Sequence, residues 1–222
     1  MKPVNDRLRE IVDALKKHIE MEGLDAGMPE VPAAKKTEKP AGLGALEKEV
    51  LSCRKCDLYR TRKNVVFGAG SPTAKLMFVG EAPGMEEDLL GVPFVGRAGK
   101  LLTKIIEAMG LRREDVYIGN VLKCRPPNNR NPLPTEILVC EDYLMRQIKM
   151  INPAVICALG KFAAQTLLRS AETISRLRGK FYDFKGTRLI PTYHPAYLLR
   201  NPHDKRLVWE DMKKIRKVLH EC

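Results

Sequence analysis

The chain has 222 residues, of which 44% are hydrophobic, and a formal net charge of +12. That length supports one sizeable core plus an extension, and no apolar run approaches the length needed to span a membrane. The charge suits a polyanionic partner, nucleic acid being the commonest, although a merely basic protein would read the same way. The first 22 residues mix Lys, Arg, Asp and Glu, without the apolar centre of a signal peptide, and their acidic residues argue against a transit peptide. A cytoplasmic location is therefore expected. Six cysteines in such a compartment are poor candidates for disulfides and need another explanation.

Residues 5–22 carry Leu8, Ile11, Val12, Leu15 and Ile19 at helical spacing. Gly23 to Gly44 follows, with Pro29, Pro32, Pro40 and a Lys-rich patch, and reads as a flexible linker. Residues 1–45 are thus expected to form a helical extension and linker, and residues 46–222 the folded domain. Four short apolar segments then recur: Lys75–Gly80, Val116–Leu122, Ala154–Gly160 and Arg188–Tyr193. Each reads as a buried strand. Helical stretches at about 97–110, 134–150, 161–170 and 204–220 separate them. This alternation predicts an α/β fold, a three-layer α/β/α sandwich around a four-stranded parallel sheet.

In such a fold, ligands bind at the carboxyl ends of the strands. GEAPGMEED follows the first strand, Asn120 and KCRPPNNRNP the second, Gly160-Lys161 the third and His194-Pro195 the fourth. Glu81 lies in a tight Gly-Glu-Ala-Pro-Gly turn that can aim backbone N–H groups at a ligand, or can be an ordinary connection. Glu86, Glu87 and Asp88 could cap the next helix, read donors on a base, or face a cationic transition state. Phe94, in a glycine-rich loop, can stack on a base or anchor the core. A buried Asn120 would need partners, and its amide can offer an acceptor and donors to a base edge. His194 ends a strand, whereas His18, His203 and His220 sit in charged contexts and read as solvated; histidine at such a place suits proton transfer or charge stabilisation. The cations Arg97, Lys123, Arg125, Arg130, Lys161 and Arg200 gather around the same loops.

Cys53 and Cys56 form C-x2-C, and Cys124 and Cys140 complete a set of four thiols; Cys157 lies in an apolar strand and reads as core, and Cys222 ends the chain. Four thiolates can hold zinc or a [4Fe–4S] cluster, and spacing does not separate the two.

From about Leu46 onward the chain resembles the family 4 uracil-DNA glycosylases, the iron–sulfur branch of their superfamily. The resemblance rests on C-x2-C at 53–56, GEAPGMEED at 80–88, GVPFVGRAGKLL at 91–102, Asn120 with VLKCRPPNNRNP at 121–132, Cys140, and HPAYLLRNP at 194–202. It implies a monomeric DNA-repair enzyme that flips uracil out of single- or double-stranded DNA and hydrolyses its N-glycosidic bond. It implies a [4Fe–4S] cluster on Cys53, Cys56, Cys124 and Cys140, in a structural role. Phe94 would stack on uracil, Asn120 would read its polar edge, and Ala82, Pro83 and Glu87 would border the base. His194 would stabilise the departing uracil anion, as a neutral donor or as a cation, and Glu81 would assist the water or the cationic sugar. Arg97, Lys161, Tyr197, Leu198 and Arg200 would contact DNA, with the segment after His194 entering the gap left by the base, unless it is a helix start whose Leu198 or Leu199 packs on the core. Ala82 stands where the best-known uracil-DNA glycosylases carry a water-handling Asp, which leaves the water-activating group open. Gly96-Arg97-Ala98-Gly99 lacks the His-containing insertion by which a related branch traps DNA covalently, so ordinary turnover is expected. The alternatives are a non-catalytic DNA-binding module, against which Glu81 and His194 together speak, and a zinc protein of the same fold.

Overall fold

A computed structural model describes residues 41–221; the helix expected at 5–22 and most of the linker lie outside them. The helices are α1 (Ala41–Leu51), α2 (Met85–Leu90), α3 (Arg97–Ala108), α4 (Pro134–Ile151), α5 (Lys161–Leu168), α6 (Ile174–Leu177), α7 (Pro195–Arg200) and α8 (Lys205–Glu221). The strands are β1 (Ala69–Gly70), β2 (Leu76–Gly80), β3 (Tyr117–Asn120), β4 (Val155–Leu159), β5 (Tyr182–Phe184) and β6 (Thr187–Thr192). They form one sheet in the order β1-β3-β2-β4-β6-β5. The central four, β3-β2-β4-β6, are parallel, as the alternation of strands and helices predicts. Antiparallel β1 and β5 add an edge on each side, so six strands are present where four are expected. Both edge strands are too short and too poor in apolar residues to stand out by pattern.

Alternate residues of the central strands supply two separate cores. Met77, Val79, Ile156, Ala158 and Leu189 face α1, α4 and α5, whose Leu46, Leu144 and Ala164 belong to the same cluster. Leu76, Phe78, Val155, Cys157 and Ile190 face α3 and α8 through Leu102, Ile106, Met212 and Ile215. Every residue of β2 and β4 is buried, which is why these strands read as unbroken apolar runs. Each fully buried Leu, Ile or Phe stabilises the fold by about 1.5–3 kcal/mol.

Helix α1 corrects the domain boundary. Residues 41–45 are helical rather than linker, because Leu43, Leu46 and Val50 at helical spacing bury one face, each 1% exposed. Helix α4 shows how a polar side chain fixes an element in place. Pro134 occupies its first turn, and the Glu136 carboxylate accepts the Leu133 N–H at 2.8 Å and both Arg130 Nη groups at 2.6 and 2.9 Å. Arg130 is therefore engaged in holding this turn.

The carboxyl ends of the four parallel strands lie on one rim. They deliver Gly80 and Glu81, Asn120, Gly160, and the Thr192–His194 turn.

Candidate functional site

Gly80 is where the rim is tightest. A Cβ built there would lie 2.4 Å from Asn120 Oδ1 and 2.6 Å from Phe94 Cζ. Asn120 and Phe94 therefore meet over a backbone that no larger residue could supply. Asn120 is 1% exposed, and its Oδ1 is buried without a hydrogen-bond partner. Leaving a buried acceptor unpaired costs about 1–3 kcal/mol, so such a group on the strand rim points to a donor that arrives from outside.

Phe94 holds a left-handed backbone at φ 52°, strained for a residue with a Cβ. Three neighbours over-determine it. Arg113 Nη2 donates to the Pro93 carbonyl at 2.5 Å. Glu87 accepts the N–H groups of Val95 and Gly96 at 2.8 and 2.9 Å. Gly99 lies so close that a Cβ would meet the Phe94 carbonyl at 2.0 Å. The ring is 6% exposed, and its centroid stands 5.6 Å from that of His194, tilted by 34°.

Glu87, expected to border the base, has another task. Besides the Phe94 loop it accepts the Gly84 N–H at 3.1 Å, so its carboxylate ties the GEAPG turn to the loop that carries the aromatic. Asp88 is buried and accepts the N–H groups of Lys63 and Asn64 at 2.9 and 3.3 Å. These two members of the acidic cluster thus organise backbone. Pro83 is buried, and the partly exposed Ala82 packs against the α4-side core.

His194 precedes α7 as its N-cap, and its Nδ1 accepts the Ala196 N–H at 3.1 Å. An imidazole that accepts at Nδ1 carries its proton on Nε2. Desolvation pushes its pKa down to about 4, the nearby Arg200 charge adds to the fall and Glu87 opposes it. Both features favour a neutral imidazole with its proton on Nε2. Gly160 (φ +87°) lets the chain pass beside it, since a Cβ there would stand 2.9 Å from His194 Cβ. Desolvation raises Glu81 to about 6, so it remains mainly a carboxylate at neutrality, but one held in a poorly hydrated place.

Arg97, Lys161 and Arg200 are exposed. Arg97 and Lys161 open α3 and α5, and Arg200 closes α7. Leu198 and Lys123 lie inside the fold. Leu198 is 0% exposed and packs with Phe94 and Met212 in the α8-side core, because a four-residue step from His194 turns it inward; Leu199 is the one that projects, 43% exposed. Lys123 is 1% exposed, its ammonium donating to the Asn120 carbonyl at 2.7 Å and to Gln147 Oε1 at 2.6 Å. Tyr197 donates its hydroxyl to Asp204 at 2.7 Å and lies against Tyr193 with ring centroids 4.8 Å apart. Arg125 bonds Asn129 within its own exposed loop.

Cys53, Cys56, Cys124 and Cys140 line a single small hollow, together with Val50, Arg62, Lys123 and Tyr143. Arg62 Nη1 donates to Cys124 Sγ at 3.2 Å, and the backbone N–H groups of Lys55 and Lys123 point to Cys53 and Cys140 Sγ at 3.5 and 3.4 Å. Among the described residues, no three His, Cys, Asp or Glu side chains form a set that could hold one metal ion. Cys157 is fully buried in β4, as expected of a core residue.

Sequence reasoning did not find Arg113, the Lys123–Gln147 contact or the left-handed Phe94. Nothing in residue type or spacing marks them. The glycines at 80 and 99 were visible only as parts of longer motifs.

The model of the uracil DNA glycosylase superfamily matches residues 67–213, a stretch that contains every rim residue described above. Three curated relatives align over most of this chain and of their own lengths, and all are described as type-4 uracil-DNA glycosylases. The protein from Archaeoglobus fulgidus is 52% identical over 78% of this chain and 91% of its own. That from Saccharolobus solfataricus is 48% identical over 80% and 86%, and that from Thermotoga maritima 48% identical over 77% and 91%. With the Gly80–Asn120–Phe94–His194 rim in place, the chain belongs to the type-4 branch of the uracil-DNA glycosylase superfamily.

Proposed function

We propose that the protein extrudes uracil from DNA and hydrolyses its N-glycosidic bond, leaving an abasic site. The observation that carries this reading is the orphaned acceptor Asn120 Oδ1 beneath the Phe94 ring. Uracil presents an N3–H donor and the O4 acceptor along one edge, and a carboxamide matches both. Cytosine has no N3–H, so it would leave the buried acceptor unpaired.

Departure of the base separates charge. Negative charge grows on the uracil ring and positive charge on the sugar. His194 donates from Nε2 to the developing uracil anion; a neutral donor suffices because the fixed dipole needs no reorganisation. Glu81, desolvated and ionised, faces the developing sugar cation and can orient the attacking water. Phe94, held in its strained backbone, stacks on the base and keeps water from it. Arg97, Lys161 and Arg200 bind phosphates on either side, and Leu199 rather than Leu198 is placed to fill the vacated stack. We take the enzyme to act as a cytoplasmic monomer on single- or double-stranded DNA.

The four thiols fit a [4Fe–4S] cluster. The hollow they share is bordered by Arg62 and Lys123, and N–H groups point at three sulfurs, as suits a cluster of net negative charge. A single zinc would need the thiols drawn together tetrahedrally. Once bound, the group would tie the segment before β1 to the loop after β3 and to α4; base hydrolysis asks no electrons of it.

Incubation with a uracil-containing oligonucleotide, followed by alkaline cleavage of abasic sites, tests the activity. Absence of strand breaks at every salt concentration would refute it. Anaerobic purification should give a brown protein with about four irons per chain; a colourless zinc protein would refute the cluster.

A further inference from the structure

We propose that Lys123 is a positioning residue that sets the uracil-reading Asn120 and joins it to the four-cysteine hollow. The inference rests on the function proposed above and deepens it. Strand β3 ends at Asn120, and just beyond it the Val121 and Leu122 N–H groups donate to the Gly80 and Glu81 carbonyls, each at 3.0 Å, which holds the backbone on that side. The Asn120 carbonyl itself receives the Lys123 ammonium at 2.7 Å, and the same ammonium donates to Gln147 Oε1 at 2.6 Å. Gln147 is itself immobilised, since its Nε2 donates to the Phe67 carbonyl and to the Tyr117 hydroxyl at 2.9 and 3.1 Å. Lys123 thus clamps the residue whose Oδ1 awaits the base.

Its other end reaches the thiols. The Lys123 main-chain N–H points to Cys140 Sγ at 3.4 Å, and Cys124 is its neighbour in sequence. Cys140 and Gln147 stand seven residues apart on α4, two turns, so one face of that helix presents both a thiol and the lysine's acceptor. Burying an ammonium is expensive, and an apolar side chain of similar length would fill the space at lower cost. At 1% exposure the charge has no role at the surface; what it does do is fix Asn120.

The test is Lys123→Met, studied in the full chain with its metal. Metal content and the visible spectrum should match the wild type, as should affinity for abasic-site DNA, which lacks the base. The kcat/KM for uracil-containing DNA should fall at least tenfold, in line with loss of a charged hydrogen bond. In an Asn120→Ala background Lys123→Met should have almost no further effect, because both changes remove one function. An undiminished kcat/KM, or a loss that adds in full to that of Asn120→Ala, would overturn the proposal. A second measurement reads the link to the thiols. Bound DNA carrying a non-hydrolysable 2′-fluoro-deoxyuridine should slow metal release to a chelator in the wild type and not in Lys123→Met, since coupling between sites is reciprocal. Equal release rates with and without that DNA in the wild type would sever the link. Should Lys123→Met fail to fold, Gln147→Leu removes one anchor only; a several-fold loss in kcat/KM supports the clamp and an unchanged value rejects it. Uracil excision by the wild type is scored separately, so failure of the proposed activity and failure of the clamp cannot be confused.

Discussion

Replacing Glu81 by Gln separates the group's catalytic role from its effect on the fold, because the two should move in opposite directions. Desolvation raises its pKa from 4.5 to about 6. The native state therefore binds this proton more tightly than the unfolded chain does. Relative to an ordinary Glu, the fold is favoured below pH 4.5 and loses that advantage as pH rises through 6. The full penalty at pH 7 corresponds to about 2 kcal/mol, and allowing for screening at its exposed edge leaves about 1–2 kcal/mol. Gln keeps the shape without the charge, so Glu81→Gln should raise the melting temperature at pH 7 by roughly 2–8 °C, a gain that shrinks towards pH 4. Excision should fall by about 10²-fold or more, as expected when a group facing developing charge is neutralised. The pH profile gives a further check. Wild-type kcat/KM should drop about tenfold between its plateau and pH 5, with an apparent pKa near 6. In Glu81→Gln that limb should vanish, leaving only a fall near pH 4 where His194 becomes charged. Melting scans across pH and single-turnover excision measure both. A variant that melts lower at pH 7 and keeps the limb near pH 6 would refute the assignment.

Three further changes test the site geometry. Gly80→Ala would push a methyl group between Asn120 Oδ1 and the Phe94 ring, so kcat/KM should fall by about 10²-fold while affinity for abasic DNA holds; activity near wild type would mean the pocket lies elsewhere. Leu198→Ala should destabilise the fold by about 2–5 kcal/mol, read in thermal melting, with DNA affinity at low temperature nearly unchanged; the reverse pattern would restore it as a DNA wedge. Cys140→Ser should lower metal content and melting temperature together, and metal loss by chelation should do the same, because the proposed cluster would tie α4 to the segments before β1 and after β3.

The parallel centre of the sheet was legible because β2 and β4 are buried on both faces and their residues are apolar without interruption. Edge strands β1 and β5 were not, since pairing to a neighbour's backbone leaves no trace in two or three side chains. Helix α1 was hidden by a glycine-rich start that resembles linker; only Leu43, Leu46 and Val50 betray it. Asn120 and His194 stood out because a polar residue at the end of an apolar strand needs a reason. Whether Leu198 or Leu199 packs inward was not legible, because exposure in a short helix depends on which way the preceding turn faces. The burial of Lys123 was not legible either, because only the tertiary structure supplies the acceptors that let a lysine lie inside.

The rim also concentrates departures from ordinary local chemistry, which is where function is expected to lie. Asn120 Oδ1 is unpaired, Phe94 sits at positive φ, Glu81 is desolvated and His194 is held neutral. Each departure has its own support. Glycines 80, 99 and 160 supply space that any Cβ would occupy, Glu87 and Arg113 hold the aromatic loop, and Lys123 holds Asn120. The unpaired acceptor and the desolvated carboxylate lie on the same rim, so arrival of the base could relieve the first while the developing sugar charge relieves the second. Destabilisation carried by the free enzyme would then be lowered in the transition state, and binding of cytosine, with no N3–H to offer Asn120, would leave it in place.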